Sequence, residues 1–310
     1  MSPPIPPLLD RVAGAPISWG VCEVPGWGWQ YHPETVLSQM REVGLHATEF
    51  GPEAFLPADP TARAQLLASH ELAAVGQFVP VLLHDPQHDP RPEVDLAMDG
   101  LVAARASTVV LAAATGTEGY DTRPLLDGDG WGALLRNLDL LHEAAAARGL
   151  TATLHPHVGT MVESGSETDK VLAGSAIGLC LDTGHLLIGG ADPVAIAHHF
   201  PERIAHVHLK DVDNTLAGRV RAGELGYTDA VRTGLYQPLG HGDVDIAAIV
   251  TSLEQAGYAG WYVLEQDTIL KADPAGGSGT RAPVEDVRES LEHLRQVAAS
   301  LPRGGPATDD

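Results

Sequence analysis

Cysteine is scarce in this 310-residue chain: only Cys22 and Cys180 occur, far apart, with Cys180 inside an apolar run. Two distant cysteines make no disulfide framework and fit a reduced, cytoplasmic protein. Cations are few as well. Nineteen Lys and Arg stand against 41 Asp and Glu, for a formal charge of −22. Nucleic acid and anionic membrane surfaces repel such a chain, so neither is expected as a partner. No apolar run reaches the roughly 18 residues of a membrane-spanning helix. Residues 1–7 are proline-rich and lack a basic segment followed by an apolar one, so no signal peptide is expected. No Gly-x-Gly-x-x-Gly follows the first strand-like run, which weighs against a dinucleotide-binding domain. No His-Glu-x-x-His provides a local metal fingerprint either.

What is present is a chain that is 44% hydrophobic, enough for a sizeable core, and that carries 15 histidines. Eight short strand-like runs can be read, each followed by a helical one. The strands are expected at 15–20, 46–50, 74–83, 108–113, 151–155, 177–181, 204–211 and 260–265. Helices are expected near 34–43, 61–72, 93–104, 131–148, 167–172, 193–199, 246–256 and 283–299. Such alternation implies parallel strands joined by right-handed crossovers, and eight units favour a closed (β/α)8 TIM barrel over an open sheet. The expected organisation is an N-terminal extension (1–13), a single barrel domain (14–301) with an insertion at 213–242 after the seventh strand, and a flexible tail (302–310). A second flexible stretch is expected at Ala275–Gly279.

Side chains alternate across a strand, so a period-2 reading separates the two faces of each run. In Ile204–Asp211, Ala205, Val207 and Leu209 share one face, and His206, His208 and Lys210 share the other. Alone, this stretch fits a half-exposed strand as well as a barrel wall. The same polar face recurs, however. Glu49, His155, Asp182 and Glu265 also fall at the C-terminal ends of strands in inward phase. That is the end where barrel enzymes build their sites. Two carboxylates and an imidazole, Asp182, His208 and Glu265, can hold a divalent cation such as Mn2+ or Co2+. Asp182 can equally cap the turn that follows it, and His185 can serve as a supporting histidine. His206, one step deeper, is assigned a structural duty. Trp27 and Trp29 in the Pro-Gly-Trp-Gly-Trp loop can anchor that loop or form a wall for a sugar ring.

Several stretches resemble the xylose-isomerase-like TIM barrels of sugar isomerases, epimerases and inosose dehydratases. Leu181-Asp182-Thr183-Gly184-His185 resembles their sixth-strand motif, and His206-Val207-His208-Leu209-Lys210-Asp211 the seventh. Ala15–Val21, the Pro-Gly-Trp-Gly loop, Thr48–Pro52, His155–Thr160, Pro238–Asp243 and Gly260–Asp267 are similar to the inosose (2-keto-myo-inositol) dehydratase branch. The resemblance implies a divalent metal, Mn2+ or Co2+ with Mg2+ or Zn2+ as alternatives, on Asp182, His208 and Glu265. It departs at strand five. Relatives usually carry Glu-x-His there, and this chain has His155 and His157, so the fourth ligand is His155, His157 or neither. A second departure is Gly-His-Gly-Asp at 240–243, where relatives tend to have Gly-Asp-Gly or Gly-Glu-Gly.

The activity so implied is a metal-dependent lyase that dehydrates a cyclic keto-polyol such as scyllo-inosose through an enediolate. His157 or His185 would move protons and Lys210 would stabilise negative charge. Trp19, Glu49, Gln77 and Gln266 are candidate substrate contacts. Three other readings keep the same barrel: an aldose–ketose isomerase or C3-epimerase, a lyase eliminating the aglycone of a 3-keto glycoside, and a sugar-binding barrel without catalysis. The expected partner is a small polyol or sugar, with homo-oligomerisation left open.

Overall fold

The structure, a computed structural model, describes residues 4–274 and 281–302. The Ala275–Gly279 stretch and the tail from residue 303 lie outside the described residues. Strands run in chain order as β1 (Val12–Gly14), β2 (Ala47–Thr48), β3 (Ala73–Ala74), β4 (Gly76–Val81), β5 (Thr108–Ala113) and β6 (Thr151–Leu154). They continue as β7 (Gly178–Asp182), β8 (Ile204–Leu209), β9 (Asp211–Val212), β10 (Tyr236–Gln237) and β11 (Tyr262–Leu264).

Nine of these form one sheet in the order β3-β2-β1-β11-β8-β7-β6-β5-β4, and every pairing within it is parallel. β3 and β4 are two pieces of one stave, split at Val75. The Val75 N–H donates to Thr48 O at 3.0 Å, and the Phe50 N–H donates to Gly76 O at 3.0 Å. β4 is thereby held against the chain that leaves β2, and the sheet closes on itself. The result is the expected (β/α)8 barrel, with eight staves. No helix among the described residues is long and apolar enough to cross a membrane.

The helices start where local chemistry allows. Asp59, Asp127 and Asp192 accept N–H groups in the first turns behind them, and Ser164 with Glu167 makes a reciprocal capping box. Their apolar faces pack against outward strand residues such as Val109, Leu111, Leu179 and Leu181. Inside the barrel a small cluster of Ala13, Ala47, Val75 and Val263 fills the lower layer. Polar residues stand one pleat above it, Glu49 above Ala47 and Glu265 above Val263.

One expectation is corrected. The first strand is Val12–Gly14, not 15–20, so the barrel begins inside the stretch read as an N-terminal extension. Residues Pro16–Trp19 instead form a 3-10 turn with Pro16 in its first position, ended by Gly20 at φ 78°. The 213–242 insertion is structured. It holds helices Asn214–Arg221 and Tyr227–Arg232, then β10, which returns antiparallel to β9. Buried Asp211 pins that return. Its carboxylate accepts the N–H groups of Val212 (3.0 Å), Gly240 (2.9 Å), Gly242 (3.0 Å) and Val244 (2.9 Å). A Cβ on Gly242 would collide with that carboxylate, which accounts for the glycine in Gly-His-Gly-Asp.

Candidate metal centre

The register puts Asp182 beside His208 and His208 beside Val263, so the ends of β7, β8 and β11 lie side by side at the C-terminal mouth. Asp182 divides its labour. Oδ1 accepts the His185 N–H at 2.7 Å and caps helix Thr183–Ile188, while Oδ2 turns inward. The expected cap is thus made by one oxygen, and the other is left facing the cluster. Oδ2 lies 3.0 Å from His155 Nε2 and 3.7 Å from His208 Nδ1, and His208 Nδ1 lies 3.1 Å from Glu265 Oε2. Asp182, His208 and Glu265 offer donor atoms all within 4.8 Å of one another.

This donor set fits a divalent cation. Ligand atoms on a metal with bonds of about 2.1 Å sit roughly 3.0–3.5 Å apart, close to the spacings found. His208 Nδ1 is buried and has no hydrogen-bond partner. Its Nε2 lies 3.1 Å from Glu49 Oε1, an acceptor, which fixes the proton on Nε2 and frees Nδ1 as a ligand atom. Glu49 Oε1 also accepts from His206 Nε2 at 2.8 Å. His206 thus has the structural duty expected of it, and Glu49 orients histidines from the pocket floor.

Charge in the cluster is strongly coupled. Burial lowers the His208 pKa, but Cys180, Glu265 and Glu49 around it win and hold it well above 6.5. Burial also lowers that of Lys210, and Asp182, Asp267 and Glu265 overcome it, so Lys210 stays an ammonium. Its Nζ lies 2.6 Å from Asp267 Oδ1, 3.1 Å from Glu265 Oε2 and 3.5 Å from Asp182 Oδ2. Gly184 makes room for this side chain, because a Cβ there would lie 2.7 Å from Lys210 Cβ. Burial raises the pKa of Asp182 and Glu265, yet the adjoining cations bring both below the ordinary carboxylate range.

The other histidines behave oppositely. Burial first, then neighbouring cationic groups, push His157 and His185 well below 6.5, so both are neutral. Their rings stack with centroids 3.7 Å apart. His157 Nδ1 lies 2.7 Å from Val158 O, which accepts only, so Nε2 carries the lone pair. His185 Nε2 lies 3.1 Å from Lys210 Nζ.

The pocket above this floor is lined by Glu49, His155, His157, Lys210, Glu265 and Asp267, with an apolar wall that includes Trp27 and Phe78. Trp27 thus serves the wall and also anchors its loop through Nε1, which donates to Thr268 O at 2.9 Å. Trp29 makes an antiparallel bridge with Leu270.

Three expected substrate contacts lie elsewhere. Trp19 is fully buried and its Nε1 donates to Gln39 in helix Pro33–Val43. Gln77 shares the outward phase of Val79 and Val81, while Gly76 and Phe78 face inward. Gln266 turns to helix Pro283–Ser300, where its amide donates to Asp286 at 3.1 Å. His185 belongs to the cluster but not to the pocket lining.

Among the residues not anticipated, Asp267 continues the phase of Glu265, so the alternation carried one step further would have found it. Tyr227 and Tyr236 come from the insertion. Tyr227 Oη donates to Asp267 Oδ2 at 2.6 Å and Tyr236 Oη contacts the His185 ring nitrogens. Tyr120 rises from the loop after β5. None of these tyrosines has a local sequence signature.

Fold and site together define a parallel barrel with an acid–imidazole cluster at its C-terminal mouth. The chain belongs to the xylose isomerase-like TIM barrel family, whose profile matches residues 37–297. It is 33% identical over 299 residues to the rhizopine catabolism protein MocC of Rhizobium meliloti, covering 94% of this chain and 89% of that protein. It is 31% identical to the inosose dehydratase of Geobacillus kaustophilus strain HTA426, over 86% of this chain and 88% of that one. Among solved structures, the IolI protein with a binding zinc atom shares the fold at a TM-score of 0.65 and 12% identity, over 94% of this chain and 99% of that chain.

Proposed function

We propose that this protein is a divalent-metal-dependent hydro-lyase that dehydrates a cyclic keto-polyol of the 2-keto-myo-inositol type. The observation that carries the reading is the convergence of Asp182, His208 and Glu265 beside a buried ammonium, Lys210, on the floor of a pocket. The likeness to inosose dehydratases over most of the chain supports it.

Asp182, His208 and Glu265 would hold the metal, and a set of two carboxylates and one imidazole suits Mn2+ or Co2+. His155 would supply the strand-five ligand, since its Nε2 is 3.0 Å from Asp182 Oδ2 whereas His157 is turned to Val158 and lies against His185. When bound, the metal supplies Lewis-acid polarisation of the ketone.

The chain's own groups move the protons. His157, neutral and lining the pocket, takes the α-proton on Nε2. Lys210 steadies the negative charge that grows on the substrate oxygen as that proton leaves. Tyr227 and Asp267 share a short hydrogen bond on the pocket wall. Burial pushes the Tyr227 pKa well up, so Tyr227 retains its proton for the departing β-hydroxyl, and Asp267, ion-paired with Lys210, orients the tyrosine hydroxyl. Loss of the α-proton and of that hydroxyl as water leaves a carbon–carbon double bond beside the ketone. His185 holds Lys210 in place without touching substrate.

The test is to strip the protein of metal, reload it with Mn2+ or Co2+, and supply 2-keto-myo-inositol. The expected product has lost one water. A product of unchanged mass assigns the site to isomerisation or epimerisation, and unchanged substrate contradicts the reading.

A further inference from the structure

Glu23 and Tyr120 line the pocket over the metal centre and also line a second cavity beside it. Tyr120 Oη donates to Glu23 Oε1 at 2.6 Å, linking two loops 97 residues apart. This one hydrogen-bonded pair stands between the pocket and its neighbour. Behind the pair the surface changes character. Val24, Pro25, Pro80 and Ala114 provide an apolar floor, and Thr115 and Thr117 bring paired hydroxyls, 2.8 Å apart. No carboxylate of the metal cluster faces this second cavity.

We propose that the second cavity is a subsite for a glycosyl substituent on the polyol ring, with Glu23 and Tyr120 as the partition a substituted ligand passes between. An apolar floor takes the C–H face of a sugar, and clustered hydroxyls meet its hydroxyl groups. The two cavities adjoin at the same two side chains, so a ring held over Lys210 would send a substituent past Glu23–Tyr120. The pair is joined by a single exposed hydrogen bond, which a ligand hydroxyl can replace at small cost. The inference rests on the polyol reading of the first pocket and extends it to glycosylated polyols.

Calorimetric titration of the Mn2+-loaded protein with myo-inositol and with a galactosyl-inositol tests it without requiring turnover. The glycosylated ligand is expected to bind at least tenfold more tightly. Thr117→Trp and, independently, Ala114→Leu fill the second cavity and should erase that gain while leaving the affinity for myo-inositol unchanged. Binding of myo-inositol with no gain from the galactosyl group overturns the subsite alone, as does a loss by both ligands alike in the two variants. Failure of both ligands to bind the wild-type protein overturns the polyol reading and the subsite together.

Discussion

His208 and His185 are both fully buried and both pack against the ring of His155, yet burial ends differently for them. His208 looks toward Glu49 and Glu265, and their charge outweighs its desolvation. His185 looks toward His157 and Lys210, which add to its desolvation. One side of the pocket floor therefore attracts cations, and the other keeps imidazoles neutral and able to accept protons. Identical side chains that both adjoin His155 acquire different work from what surrounds them. The proposed metal binding and proton transfer need that division, because a single uniform environment would protonate every histidine or none.

The largest effect is expected on the acidic side. His208→Ala should abolish metal content and lower turnover by more than about 10^3-fold, read by metal analysis beside a product assay. An active variant that still carries one metal per chain would remove His208 from the site. Next comes Lys210→Met, which leaves the metal ligands intact. Turnover should fall about 10^2- to 10^3-fold with metal content unchanged. Loss of metal in this variant would show that Lys210 organises the ligands rather than the substrate.

On the neutral side, His157→Asn should cost about 10^2-fold in kcat. It should bind metal as well as the wild type does, and a drop in metal affinity would erase the boundary between the two sides.

Acidity tests the same boundary more gently. Without metal, the raised His208 pKa means that its contribution to stability is complete below pH 6.5 and is lost as pH rises through the higher folded value. Metal requires the neutral ring, so affinity should run the other way. It should weaken up to about tenfold for each pH unit below that folded value, as measured by Mn2+ titration at several pH values. An affinity that does not change with pH would mean that His208 is not a ligand.

Smallest is the expected effect of Asp211→Ala on the insertion's anchorage. Four N–H groups lose a buried acceptor. The expected loss is about 2–3 kcal/mol in stability, read from the melting temperature, with a modest rise in KM because Tyr227 and Tyr236 lose their support.

The parts of the site that strands carry were legible because alternation is a rigid rule. A stave fixes which face each residue takes, and Asp182, His208, Lys210 and Glu265 obey it. Three candidate substrate contacts, which do not rest on that alternation, lie away from the pocket. Gln77, a candidate substrate contact, faces outward on β4, and Phe78 takes the inward position. Trp19 was assigned to a strand, but the chain there makes a 3-10 turn that drives the indole into the core. Gln266 lies beyond the end of β11 and bonds to a helix. Tyr120 and Tyr227 come from connecting segments, whose course depends on distant partners such as Glu23 and Asp267 rather than on local periodicity.

The account turns on which cluster holds the metal, because three other groups have ligand spacing: His157, His185 and Asp267 on the neutral side, Glu49, His206 and His208, and His155, Cys180 and His208. Anomalous diffraction from Mn2+-soaked crystals separates them directly. The account predicts one peak within bonding distance of Asp182, His208 and Glu265. A peak between His157, His185 and Asp267, or none at the strand-end cluster, would contradict it.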